Sequence, residues 1–215
     1  MTMRRTKQNG TTIIEFVLVT ALVLGPLLLG AMVVGFNIIR VIHVNQVNRD
    51  AGHMFARGVN FSTSNTGLGN RAVLTMLSPR LGNSSSSGTG MLVLSAIQYV
   101  GPNTCSNCAN LNHAVFVRQL IIGNSSLSSS HFGTVPISSM ATDAQGTVDG
   151  TGTVKSPYSD LAVRADAILA AIPPVDGIIM NDGDTAYVSE TYFTSTDFDI
   201  KGFLTSSSLY ARAIF

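Results

Sequence analysis

Residues 13–36 form an apolar run that carries a single charge, Glu15. A helix needs roughly 20 apolar residues to cross the hydrocarbon core of a bilayer, so this run is long enough to span one. A secretory signal has a shorter apolar core, about 7 to 15 residues, closed by a small-residue cleavage site, and no such site precedes Asn37. The segment is therefore expected to be a single membrane-spanning helix that stays in the protein. Arg4, Arg5 and Lys7 precede it and Arg40 follows it. Lys and Arg close to a span favour the cytoplasm, so the chain after Phe36 is expected outside the inner membrane of a bacterium. Pro26, near the middle of the run, lacks an N–H and is expected to bend the helix.

Glu15 is the anomaly in this run, because a carboxylate at the edge of a span costs free energy unless it reaches the interface or is paired. A cut between Gly10 and Thr11 would make Glu15 the fifth residue of the processed chain, followed by the aromatic Phe16. The basic leader, Gly10, Glu15 and Phe16 together resemble the start of type IV pilin-like precursors. That resemblance implies processing by a prepilin peptidase at Gly10 and Thr11. It also implies an assembly role for Glu15 and Phe16, with the carboxylate facing the amino terminus of a neighbouring subunit. Such a pair is strong at low dielectric, and removing one partner leaves an uncompensated charge in lipid. A plain signal anchor with an incidental Glu15 fits the same residues.

Beyond the span, Val44, Val47, Ala51, Met54 and Phe55 recur at three- and four-residue steps, an apolar stripe on one helical face. Asn45, Gln46, Asn48, Arg49, Asp50 and Arg57 occupy the other positions, and His53 reads as a solvated surface residue. The helix is expected to run from residue 11 to residue 58, about 70 Å at 1.5 Å per residue. Its stripe suits packing on neighbouring subunits, on the protein's own sheet, or both.

Residues 70–77 suggest a short helix ended by Pro79. Residues 82–90 are Ser- and Gly-rich and read as a flexible loop. Residues 91–100 and 114–122 read as strands of a long hairpin around Cys105 and Cys108. A lone C-x-x-C outside the cytoplasm suits a disulfide across the loop. It lacks the further ligands of a zinc site, the strand–helix setting of a redox centre and the adjacent His of a haem attachment. Residues 123–152 show no periodicity and are expected to be an irregular or mobile excursion. Leu161, Ala165, Ile168, Leu169 and Ile172 fit one face of a helix capped by Ser159 or Asp160 and stopped by Pro173 and Pro174. Asn181, Asp182, Gly183 and Asp184 read as a tight turn rather than a calcium loop.

The chain closes on two further strand candidates, residues 186–194 and 209–215, joined by a loop through Asp197, Phe198, Ile200, Gly202 and Phe203. This ending, with the segment from Asn48 to Gly52 and Ala56, Arg57 and Gly58 after the span, is similar to TadE-like pseudopilins of the tight adherence pilus system. Phe16 stands where the pilins of that system usually place Tyr. The resemblance covers residues 4–58 and 186–215 and implies a minor pilin that assists assembly of a thin adhesive pilus. Its implied partners are membrane lipid, the prepilin peptidase, other pilin-like subunits and the assembly machinery.

Composition narrows the alternatives. Three of the 13 Lys and Arg lie in the first ten residues, leaving ten against 12 Asp and Glu, a balance with no footprint for nucleic acid. His43, His53, His113 and His131 are scattered, and no metal-protease, nucleophile-elbow or phosphate-loop motif occurs. No catalytic, cofactor or metal site is expected. The expected fold is α+β: a leader (1–10), a long helix (11–58, membrane part 13–36) and an extracytoplasmic antiparallel-sheet domain (59–215) with one or two short helices. A membrane-tethered periplasmic binding module and a major, polymerising pilin subunit are the competing functions.

Overall fold

The computed structural model describes residues 11–62, 65–77, 81, 88–142, 150–171, 179–195 and 207–215. The leader with Gly10, most of the 82–90 loop, the centre of the 123–152 excursion and the 197–203 loop lie outside the described residues. The chain divides into two compact units, Met1–Ile42 and His43–Phe215.

In the first unit, helix α1 (Thr11–Val19) passes through a π-helical turn (Thr20–Leu24) into α2 (Gly25–Ala56). Pro26 explains the wide turn. Its nitrogen cannot serve the carbonyl four residues back and its ring crowds that carbonyl, so the backbone just before it loosens to longer bonds. The span Ile13–Ala56 is long and apolar enough to cross a membrane.

From His43 onward α2 belongs to the second unit. It ends where Gly58 takes a left-handed conformation, φ +79°. The Val59 N–H then reaches the Met54 carbonyl at 3.0 Å and the Gly58 N–H reaches that of Phe55 at 2.9 Å, a pair of bonds that satisfies the orphan carbonyls of a helix end. Helix α3 (Asn65–Leu77) follows. It is tied to the chain before it by Arg71 Nε on the Phe61 carbonyl at 2.5 Å and Asn70 Nδ2 on that of Asn60 at 2.6 Å.

Four strands, β1 (Gly90–Val100), β2 (His113–Gly123), β3 (Thr185–Ser195) and β4 (Ser207–Ile214), form one antiparallel sheet in the order β2-β1-β3-β4. The β1–β2 hairpin encloses the cysteine loop, and β3 pairs with β4, as the alternation of Val, Ile and aromatic residues leads one to expect. Side chains alternate between faces along a strand, and this sheet is covered on both. Leu92, Leu94, Ala96, Leu120, Ile122, Phe193 and Ala211 share a core with Val44, Ala51 and Phe55 of α2 and Leu74 of α3. The stripe on α2 thus docks on the protein's own sheet. The opposite core joins Ile97, Ala114, Phe116 and Val188 to Phe132, Val135, Val154, Val163 and Ile168. Val117 is the extra residue of a bulge opposite Ala96 and Ile97, and it packs against both cores.

The 123–152 excursion is irregular, as expected, and its described part is packed. Phe132 and Val135 are buried, and the Gln119 side chain bonds the Gly133 carbonyl (2.9 Å) and the Val135 N–H (2.8 Å). The helix expected from Ser159 is not formed as one element. A 3-10 turn (Leu161–Val163), capped by Asp160 through the Ala162 N–H at 2.9 Å, precedes a five-residue α4 (Ala167–Ala171). Between them Arg164 bridges Val115, and the Ala165 N–H bonds the Ala114 carbonyl at 2.8 Å. Supplying the exposed edge of β2 with backbone partners outweighs helix propensity at this place.

Candidate assembly site

Of the described apolar residues in the first unit, the large ones face outward apart from Val33, which is buried. Ile13 and Phe16 are 71 % exposed and Leu22 is 69 % exposed, and Val17, Leu18, Leu27, Leu28, Leu29 and Met32 are exposed as well. A soluble helix would hide one such face and solvate the other with charge. Here Glu15 in α1 is the only charged residue from Thr11 to Ile39, and it is exposed among apolar neighbours. Thr11 lies in α1, at the start of the described residues. Glu15 and Phe16 sit four and five residues later, so Glu15 lies about one helical turn from Thr11.

The second unit holds its part of α2 through a buried polar contact. Asn48 is 1 % exposed and meets Ser189 and Thr191 of β3. With the amide turned so that both ends are paired, its nitrogen donates to Thr191 Oγ1 and Ser189 Oγ, both at 2.7 Å, and its oxygen accepts from the Ala213 N–H of β4 at 3.1 Å. One turn further along, Gly52 lets the sheet approach closely: a Cβ there would stand 2.3 Å from the Phe215 ring and 3.0 Å from Ser189 Cβ. His53 lies against the same ring, centroids 4.3 Å apart, while remaining exposed. Phe55 is buried between the Tyr187 ring edge and the Arg118 guanidinium, 5.0 Å above its centroid.

The other face of the sheet contains a fully buried carboxylate, Glu190. It accepts from the Ser130 hydroxyl, the His131 N–H (3.0 Å), the Tyr210 hydroxyl (2.9 Å) and the Tyr192 hydroxyl (3.4 Å). Four donors match the acceptor capacity of a carboxylate, so the group ties the excursion to β3 and β4 with no site left for a ligand. Burial, and then the Glu190 charge, raise the Tyr192 and Tyr210 hydroxyls above their ordinary value. Sequence reading missed this cluster and the Asn48 contact, since neither residue type announces burial on its own.

Cys105 and Cys108 lie in the β1–β2 connection as half-buried free thiols, so the disulfide expected from their spacing is not formed in this structure. Cys108 Sγ donates to the Cys105 carbonyl at 3.5 Å. The 181–184 turn is present, with Gly183 at φ +87° and the Asp184 N–H on the Asn181 carbonyl at 3.0 Å. Its Asp182 carboxylate accepts from the N–H groups of Gly101 (2.8 Å), Asn103 and Thr104 (3.2 Å). His113 Nδ1 meets Asp166 Oδ2 at 2.8 Å, and Asp166 also receives the Ala114 N–H at 3.1 Å. Among the described residues no group of three His, Cys, Asp or Glu could hold a metal ion. No family model, curated protein or solved structure matches the chain.

Proposed function

We propose that this protein is a membrane-anchored, TadE-like minor pilin or pseudopilin that assists assembly of an adhesive pilus. The observation that carries the reading is the outward-facing apolar helix with its single carboxylate, Glu15. A bare tether has no use for a charge in that place, whereas a subunit that packs with others through its span can meet it with a positive end. In this reading the peptidase cuts between Gly10 and Thr11, Phe16 packs beside the paired charge, and the sheet unit lies outside the inner membrane.

Replacing Glu15 by Ala tests it. Loss of pilus formation and of co-purifying pilin-like subunits, with the protein still in the membrane, is the expected result. Unchanged assembly would leave a tethered binding module. Mass spectrometry of the membrane-extracted protein is expected to find Thr11 as the first residue. Abundance in sheared filaments separates a minor subunit from a major one.

A further inference from the structure

The assembly role does not use Cys105 and Cys108, yet the loop that carries them is held firmly on both sides. On one side the Asp182 carboxylate gathers the N–H groups of Gly101, Asn103 and Thr104, and the Cys105 N–H returns to the Gly101 carbonyl at 3.0 Å. On the other, fully buried Asn110 donates to the carbonyls of Pro157 and Asp160, both at 2.8 Å. Arg164 closes that side by donating to Asn110 Oδ1 and the Ala109 carbonyl, again at 2.8 Å. Between these anchors the two thiols are half-buried and therefore reachable, three residues apart across the bend at Ser106 and Asn107, with Cys108 Sγ on the Cys105 carbonyl.

We propose that Cys105 and Cys108 are a reversible dithiol–disulfide couple that exchanges with an external disulfide while the fold stays intact. One thiolate attacks the S–S bond of the donor, forming a mixed disulfide and releasing one donor thiol. The second thiolate attacks the protein sulfur of that bond, closing the Cys105–Cys108 disulfide and releasing the second donor thiol. The protein gives up two electrons and two protons, and the donor disulfide takes them up as two thiols. Burial, reinforced by the neighbouring Cys105, pushes the Cys108 thiol up. That suits Cys108 to the second step, where proximity compensates for a small thiolate fraction.

Reversibility follows from linkage. A fold protects a disulfide from reduction only to the extent that the disulfide stabilises the fold. The closed loop here is very short, so it removes little entropy from the unfolded chain, and hydrogen bonds already order the native loop. The fold therefore adds little to the resistance of the bond.

The test uses the full chain in detergent micelles, equilibrated in mixtures of reduced and oxidised glutathione, then alkylated and weighed. A loss of about 2 Da with a midpoint inside the glutathione range is expected. Melting temperatures of the fully reduced and fully oxidised forms are expected to differ by less than about 5 °C. In Asp182→Ala the gap is expected to widen, because the cross-link then orders the loop alone. Cys108→Ser is expected to stop at one bound glutathione. Complete oxidation at every ratio, a gap above that limit in the natural chain, or glutathione uptake by the natural chain without ring closure would overturn the proposal.

Discussion

Asn48 holds a helix to a sheet through an amide that has no access to water. Its replacement by Ala removes the amide's bonds to Thr191 Oγ1, Ser189 Oγ and the Ala213 N–H, while the Ser189 hydroxyl keeps the backbone carbonyl of residue 48 at 2.9 Å; the cost is about 1–3 kcal/mol. Thermal melting of the detergent-solubilised chain is expected to fall by about 2–4 °C for each kcal/mol lost. Gly52 is decided by space. Gly52→Ala drives a methyl group into the Phe215 ring and is expected to destabilise by about 1–3 kcal/mol, while Phe215→Ala in the same chain removes the nearer obstacle and leaves Ser189 Cβ at 3.0 Å. A double-mutant cycle is therefore expected to show a clear coupling energy; strict additivity would mean that the ring swings away freely. Gly152 is fixed by conformation as well as contact, since its φ is +74° and a Cβ would meet the Gln119 carbonyl oxygen.

At the scale of elements, the β1–β2 connection and the 181–184 turn depend on one carboxylate. Burial opposes ionisation of Asp182, but the Thr104 hydroxyl and the N–H groups of Asn103, Gly101 and Thr104 together outweigh it and hold the carboxyl below its ordinary value of 3.8. A group depressed in the folded state contributes stability above its unfolded value and loses it as pH falls through the folded one. The melting-temperature difference between the natural chain and Asp182→Ala is therefore expected to be full at pH above about 5 and to shrink as the pH falls past 3.8 and through the lowered folded-state value. A difference that stays constant with pH would assign the contact to packing. The strands and the α2 stripe were legible because a period of two or of 3.6 survives in any context that buries one face. The 159–172 segment was misread for a physical reason: its apolar spacing fits a helix, but Arg164 and Ala165 serve the edge of β2, a requirement set by residues about 50 positions away.

For the whole molecule, the two compact units set different demands on solvent. A fragment covering His43–Phe215 is expected to stay folded and monomeric without detergent, because both faces of its sheet are covered. The full chain is expected to partition into detergent or vesicles through the outward-facing apolar helix. Aggregation of the fragment with loss of its melting transition would show that the first unit is needed for more than anchoring. The candidate assembly residues Glu15 and Phe16 were visible without any fold, since a charge beside an aromatic in an apolar run is a local pattern. The Glu190 cluster was not, because its donors come from Ser130, His131, Tyr192 and Tyr210, which only folding brings together.

The order of residues alone determined an apolar helix near the start, a stripe that continues past it, and four strands in two pairs. Each of these is a short-range regularity, written in side chains that repeat at the period of the backbone. Only tertiary structure decided that β1 lies between β2 and β3, and that an unpatterned excursion closes the second core. It also decided that Asn48 and Glu190 are buried ties rather than surface polar groups. These outcomes depend on which distant backbone groups need partners and how closely two surfaces can approach, and neither quantity is encoded within any single window of the chain.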